Sequence, residues 1–178
     1  MHKRIKEHSN ALAKLADLSA IEKAAQSVAD CFLSGSKLYI LGSGPSHIIA
    51  KYAEALFMDS SARPPLPAVT LLPDYYLSAQ NQHEIFEKQL TALLGSTDSL
   101  FALSAGHPCE AVTRALRYAG HIDAATIGFS GKDNGTLHGL CDILVPVEHN
   151  DPLTVTEIHV MLLHMLCKQI DKIMFSIS

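Results

Sequence analysis

Two loops contain the residues of this chain that are best suited to hold a charged small molecule. The first, Ser43-Gly44-Pro45-Ser46, comes directly after the apolar run at 37–42. Its glycine lets the backbone approach a ligand, its serines donate hydroxyl protons, and the helix predicted to begin there has unpaired N–H groups at the positive end of its dipole. The pattern is typical of a phosphate site and also of a plain turn, so both interpretations stay open at this point.

The second loop runs from Ser104 to Cys109 and also follows an apolar run. When strands are parallel, the loops at their carboxyl ends line one crevice. We therefore expect the two loops to lie at the same edge of a sheet.

Histidines and cysteines are the other candidates for chemistry. His159 and His164 are five residues apart, a spacing that turns two helical side chains in different directions and argues against a shared metal site. Each is either a functional group or a hydrogen-bonded histidine of the core or of an interface. The four cysteines lie far apart without a Cys-x-x-Cys pair, which predicts reduced thiols in a cytoplasmic protein and no structural zinc.

Composition excludes several classes of protein. The chain has 178 residues, 48% of them hydrophobic, which is enough for one domain with a full core. With 14 basic against 18 acidic residues and a net charge of −4, it lacks the footprint of a nucleic-acid-binding protein. Residues 1–7 are charged but precede no continuous apolar run, and no segment reaches the length of a membrane span. We expect a cytoplasmic protein without direct nucleic-acid or membrane contacts.

Helical periodicity alternates with short apolar runs along the chain. This alternation predicts an α/β fold, a mostly parallel sheet with helices on both faces behind an N-terminal helical segment. The last helix is apolar almost all round, which predicts cover from a second subunit and hence a homo-oligomer. Strands are expected at 37–42, 67–72, 99–104, 124–129 and 142–147, and helices within 2–33 and at 46–58, 83–94, 109–119 and 153–175.

Several motifs together resemble the sugar isomerase (SIS) domain. They are the strand, Gly-Ser turn and helix at 37–58, Ser104 after a strand, the run 127–133, and 156–159 opening an apolar helix. Over the full chain the similarity is to the group of phosphoheptose isomerase and the DnaA initiator-associating protein. The resemblance implies a single SIS domain over residues 1–178 with a three-layer flavodoxin-like fold and a five-stranded sheet. It also implies a homotetramer, in which the helices of residues 1–35 pack between subunits, and binding of sedoheptulose 7-phosphate.

The catalytic residues of that family correspond poorly to this chain. In the isomerase a His and a Glu, one turn apart on the helix after the glycine loop, act with a Gln and a His of the last helix to hold zinc or move protons. The resemblance places the first pair on Tyr52 and Leu56, or the Glu on Ala55 if one residue is deleted. The Gln falls on Thr156, and only the last His is kept, as His164. One imidazole cannot hold zinc, so we predict no metal and no other cofactor.

The phosphate loops also depart from the family pattern. The stretch 104–109 keeps one hydroxyl and includes a proline, which has no N–H to donate, and Pro45 removes another donor. A protonated His107 would replace part of this loss. The resemblance implies a phosphosugar site made by Ser43, Gly44, Ser46, Ser104 and His107.

These departures predict a phosphosugar-binding protein that has lost isomerase chemistry and acts as a binding or regulatory scaffold. The resemblance places a protein-partner contact on Met174 and Phe175, with the replication initiator DnaA as the partner. An alternative is a divergent sedoheptulose 7-phosphate isomerase in which Glu54 and His164 move protons, although Glu54 projects from another side of its helix than the family carboxylate. A third hypothesis is a sensor that binds a phosphosugar or a nucleotide without turnover.

Overall fold

Helices and strands alternate through most of the chain. The computed structural model describes residues 2–15, 18–73, 79–106, 109–132 and 137–177. In chain order the elements are α1 (His2–Ala13), α2 (Ser19–Leu33), β1 (Leu38–Gly42), α3 (Pro45–Met58), β2 (Ala68–Thr70), a 3-10 helix (Ala79–Glu84), α4 (Ile85–Leu93), β3 (Ser99–Ser104), α5 (Glu110–His121), β4 (Ala125–Gly131), β5 (Ile143–Val147) and α6 (Pro152–Phe175).

The five strands form one sheet in the order β2-β1-β3-β4-β5, and each neighbouring pair is parallel. The three-layer α/β prediction is confirmed, and the sheet is more regular than expected because all of its pairs are parallel. Parallel strands place their carboxyl ends at one edge. The loops after β1 and β3 therefore begin side by side, since Gly42 pairs with Leu103 in the register.

Each face of the sheet has its own apolar core, because successive strand residues point to opposite faces. Leu38 and Ile40 join the core under α2, α3 and α6, whereas Tyr39 and Leu41 join the core under α4 and α5. These strand residues are at most 4% exposed. A strand buried on both faces reads as a continuous apolar run, which is why the sequence revealed β1 so clearly.

Helix α6 is buried mainly within its own protomer. It packs on α2, α3 and β4, and Ile158, Leu162 and Leu166 are fully buried. Its solvent side carries Glu157, His164 and Lys168. The apolar composition of α6 is thus largely explained by one chain, and the homo-oligomer stays a prediction that rests on the family resemblance.

The carboxyl end of α3 is tied to α6 by a buried guanidinium. Arg63 donates to the carbonyl oxygens of Leu56 and Phe57 at 3.0 and 2.8 Å, and its Nε donates to the carboxylate of Asp171. The last carbonyls of a helix have no partner inside the helix. Arg63 supplies that partner and fixes α3 against α6, with its side chain only 1% exposed.

Candidate functional site

The two predicted loops are joined by a hydrogen bond. The Ala105 N–H donates to the Ser46 hydroxyl oxygen at 3.1 Å, and this bond is buried. Ser46 and Ser104 are both 2% exposed, whereas Ser43 is half-buried and Gly44 is exposed. Ser46 therefore fastens the β3 loop to the start of α3, and Ser43 with Gly44 forms the accessible part of the first loop.

Two glycines make this turn possible. A Cβ at Gly42 would overlap the backbone carbonyl of Ser46, so only glycine lets the strand end so close to the helix. Gly44 has φ +54°, a conformation that residues with a side chain rarely adopt. The glycines are thus explained by the turn itself, in keeping with the plainer of the two interpretations of this motif.

The first turn of α3 uses part of its own donor capacity. The Ser46 N–H donates to the Ser43 carbonyl and the His47 N–H to the Gly44 carbonyl, at 3.1 and 3.0 Å, and Pro45 has no N–H. Anion binding at this helix start would then rely on hydroxyl groups and on the helix dipole. The fifth predicted phosphate ligand, His107, lies outside the described residues.

Between α3 and α6, Tyr52 and His164 are in direct contact. The Tyr52 hydroxyl oxygen lies 2.7 Å from Nε2 of His164, and the two rings meet edge to face with their centroids 5.7 Å apart. Tyr52 is 39% exposed and His164 is also exposed. We call this solvent-facing contact the α3–α6 seam. It holds the histidine that the resemblance marks as catalytic, with a tyrosine as its hydrogen-bond partner.

The carboxylate predicted to work with His164 has a different partner. Glu54 forms an ion pair with Lys51, one turn earlier on α3. Tyr52 and Glu54 are two residues apart, so their side chains leave the helix about 200° from one another. The structure therefore joins His164 to Tyr52 and joins Glu54 to Lys51.

The residues present do not fit a catalytic zinc ion. Leu56 has no donor atom, and the Thr156 hydroxyl donates to the Pro152 carbonyl of its own helix at 2.7 Å. In the part of the chain that the structure describes, no three His, Cys, Asp or Glu side chains cluster as metal ligands do. A protein zinc site takes at least three such ligands.

His159, the other histidine of α6, belongs to the core. It is 1% exposed, its Nε2 lies 3.4 Å from the Ser130 carbonyl oxygen, and its ring packs on Phe129. Burial lowers the pKa of His159 to about 4, so the imidazole is neutral at pH 7. The prediction that His159 and His164 face different directions is confirmed.

The residues predicted to contact a protein partner lie at the end of α6. Met174 and Phe175 are half-buried and pack against the core on the α2, α3 and α6 side of the sheet. Their contacts give them a packing role within the protomer. Only the exposed part of these two side chains is available to contact a partner.

A separate cavity of about 590 Å³ lies at the amino ends of the strands, lined by polar residues that include Lys23, Asp30 and Ser99. It also contains Cys31, whose thiol pKa is raised by burial, so the sulfur stays protonated and unreactive. In parallel α/β sheets, ligands bind at the opposite edge. The candidate site is therefore the carboxyl edge with its two loops and the α3–α6 seam.

The comparisons with known proteins agree with this fold. The SIS domain profile matches residues 4–131. The phosphoheptose isomerase of Nitratidesulfovibrio vulgaris is 35% identical over 158 residues, which cover 85% of this chain and 76% of that protein. The phosphoheptose isomerase of Shewanella loihica is 34% identical over 166 residues, covering 88% and 84%.

Solved structures give the same result. The phosphoheptose isomerase of Neisseria gonorrhoeae superposes with a TM-score of 0.85 at 25% identity, and the alignment covers 96% of each chain. The molecule is thus an α/β protein with the three-layer SIS architecture. The chain belongs to the SIS domain family, and phosphoheptose isomerases are among its relatives. No helix among the described residues is both long enough and apolar enough to cross a membrane.

Sequence reasoning missed one residue of the seam. Tyr52 entered the sequence analysis only as the residue that replaces a family histidine. A tyrosine on a half-apolar helix is usually part of the packing, and its partner lies 112 residues away. Only the fold brings the two rings together.

Proposed function

We propose that this protein is a phosphosugar isomerase, which interconverts the aldose and ketose forms of a sugar phosphate of the heptose class. This was the alternative in the sequence analysis. Phosphoheptose isomerases that match over more than four fifths of this chain support it. We propose sedoheptulose 7-phosphate as the substrate to test first.

The proposal depends on one observation: α3 carries both the candidate phosphate loops and the candidate catalytic contact. The loops joined by Ser46 lie at the start of α3, and Tyr52 with His164 lies further along it. At 1.5 Å per residue, Ser46 and Tyr52 are separated by about 9 Å along the helix axis. We propose that the phosphate binds at the loops and that the carbonyl end of an extended sugar reaches the seam, which lies about 120° around the helix from Ser46.

We assign phosphate recognition to Ser43, Gly44, Ser46 and Ser104, with His107 as a fifth ligand. Ser43 and Gly44 are the accessible members of this group. The Ser46 oxygen accepts from Ala105, and its own proton remains free to be donated because a hydroxyl can do both. The proposal includes a homotetramer in the cytoplasm, with α1 contributing to subunit contacts.

Two measurements on one purified sample test this function. The first is thermal unfolding with and without millimolar sedoheptulose 7-phosphate, because a ligand that binds the folded state raises its stability. The second is isomerisation of the same compound, followed by a coupled assay. We expect a higher melting temperature together with turnover. Turnover of no phosphosugar in a panel from pentose to heptose would contradict the proposal.

A second candidate is a phosphosugar-binding scaffold without catalysis, which was the main prediction from the sequence. Glu54 favours it, because this carboxylate is bound to Lys51 and turned away from His164. In that case Met174 and Phe175 would contact a partner such as DnaA. Stabilisation by the phosphosugar without turnover, together with DnaA binding that is lost in Phe175→Ala, would support the scaffold.

A further inference from the structure

We propose that Tyr52 and His164 are the proton-transfer pair of the isomerase reaction, with Tyr52 acting on the oxygen atoms of the sugar and His164 on its carbon-bound proton. This inference rests on the proposed function and identifies the groups that carry out its chemistry. It assigns a catalytic role to the tyrosine that stands in the place of a family histidine.

The geometry of the pair is already suited to proton transfer. A distance of 2.7 Å between the phenol oxygen and Nε2 is that of a good hydrogen bond, and the edge-to-face contact of the rings restrains both side chains. Both residues are exposed, so a substrate can reach them. Because α3 and α6 are packed together and tied by Arg63, the two side chains stand on rigid elements.

These two groups can carry out every proton transfer of the reaction without a third group. When the substrate binds, the Tyr52 hydroxyl exchanges its bond to His164 for a bond to the aldose carbonyl oxygen O1, which frees Nε2. Tyr52 gives its proton to O1 as Nε2 removes the proton from C2. The electron pair of the C2–H bond becomes the C1–C2 double bond of an enediol.

In the second half of the reaction the groups are restored. The Tyr52 phenolate takes the proton of the O2 hydroxyl, the C2 carbonyl forms, and the His164 imidazolium gives its proton to C1. C1 is reduced and C2 is oxidised by the same electron pairs, so no external oxidant or reductant is needed. Both side chains return to their starting protonation states.

Glu54 is less suited to this role than the tyrosine. The Glu54 side chain leaves α3 about 200° around the helix from that of Tyr52, and its charge is compensated by an ion pair with Lys51. The two hypotheses, Glu54 with His164 and Tyr52 with His164, therefore differ in one residue that can be tested directly.

The test compares single conservative variants on sedoheptulose 7-phosphate. The variants are Tyr52→Phe, His164→Gln and Glu54→Gln, with Tyr118→Phe as the matched control because Tyr118 lies on α5, away from the seam. Three quantities are measured: turnover, solvent deuterium entering C2 of the aldose product, and the rise in melting temperature with substrate. Deuterium enters when the His164 imidazolium exchanges its proton with D₂O before returning it to carbon, so deuterium entry reports the carbon-proton step.

We expect Tyr52→Phe and His164→Gln each to lower both turnover and deuterium entry by about 100-fold or more, the usual contribution of a positioned acid or base. Their melting temperatures, with and without substrate, should stay near those of the wild type. Turnover of Tyr118→Phe and Glu54→Gln should stay within about threefold of the wild type, an effect of less than one kcal/mol.

Two results would overturn the inference while leaving the proposed function intact. One is an active Tyr52→Phe beside an inactive Glu54→Gln. The other is turnover that is lost in a chelator and restored by Zn²⁺, because a metal would then polarise the carbonyl in place of the phenol. A wild type that neither converts the substrate nor incorporates deuterium at carbon would instead reject the proposed function, and the inference with it.

Discussion

Helices α3 and α6 meet at two polar contacts that differ in burial and in the number of partners. The Arg63 guanidinium is 1% exposed and donates to three carbonyls and a carboxylate. The Tyr52–His164 contact faces solvent, and its two side chains are hydrogen-bonded to each other. A buried and fully paired group contributes to the fold, whereas an exposed pair with spare hydrogen-bonding capacity is available for chemistry. The same helix pair thus supplies both the support and the two groups that we propose as reactive.

The largest effect on stability is expected from the buried contact. Arg63→Met leaves the Asp171 carboxylate and the Leu56 carbonyl without the Arg63 donor, whereas the Phe57 carbonyl keeps the Leu66 N–H, and we predict a loss of about 3–5 kcal/mol in the free energy of unfolding. Urea denaturation measures this loss. Arg117→Met, an exposed arginine of α5, is the control and should change stability by less than about 0.5 kcal/mol. Equal effects of the two variants would remove the distinction between the contacts.

His159 sharpens the comparison on α6 because it is buried where His164 is exposed. Its folded-state pKa of about 4 lies below the unfolded value of 6.5, so the unfolded chain binds the proton more readily. Stability from this residue is therefore present above pH 6.5 and lost as the pH falls towards 4. We predict a loss of about 3 kcal/mol between pH 7 and pH 4.

The variant His159→Leu isolates this effect, because leucine is apolar and does not titrate. Its free energy of unfolding should fall about 3 kcal/mol less than that of the wild type between pH 7 and pH 4. Leu162→Met, at a buried position of α6 that does not titrate, is the matched control and should keep the wild-type pH dependence of stability. If both variants lose as much stability between pH 7 and pH 4 as the wild type, then other titrating groups cause the loss.

Breaking the hydrogen bond between Ser46 and Ala105 should reduce stability less than Arg63→Met does. Ser46→Ala leaves the buried Ala105 N–H without an acceptor, for which we predict a cost of about 1–3 kcal/mol in the free energy of unfolding. The same variant should lose most of the stabilisation by sedoheptulose 7-phosphate. Ser43→Ala removes an accessible hydroxyl instead, so it should weaken ligand binding with little effect on the stability of the free protein. A stable Ser46→Ala would show that the loop is held by other contacts.

The smallest effect is expected at Glu54, the carboxylate of the alternative that the sequence analysis left open. Glu54→Gln breaks an ion pair with Lys51 at the surface of one helix, and such pairs contribute a few tenths of a kcal/mol. We predict nearly unchanged turnover and stability for this variant. A loss of turnover by 100-fold would return Glu54 to the role that the sequence analysis gave it.

The fold could be predicted from the sequence because its signals are local. The buried strand β1 is a continuous apolar run, and the glycines at 42 and 44 mark a turn that only glycine can make. The site could be predicted only in part. Ser46 and Ser104 were singled out because their loops follow strands, and their role in phosphate binding stays a prediction. The acceptor role of Ser46 depends on a residue 59 positions away. The partner of His164 was missed for the same reason.

Isomerisation of sedoheptulose 7-phosphate by the wild type and by Tyr52→Phe, followed side by side by proton NMR in D₂O, tests the central claim most directly. The account predicts conversion and deuterium at C2 of the aldose product with the wild type, and a decrease of both rates by about 100-fold in the variant. Equal rates for the two proteins would contradict the assignment of the α3–α6 seam as the reactive site.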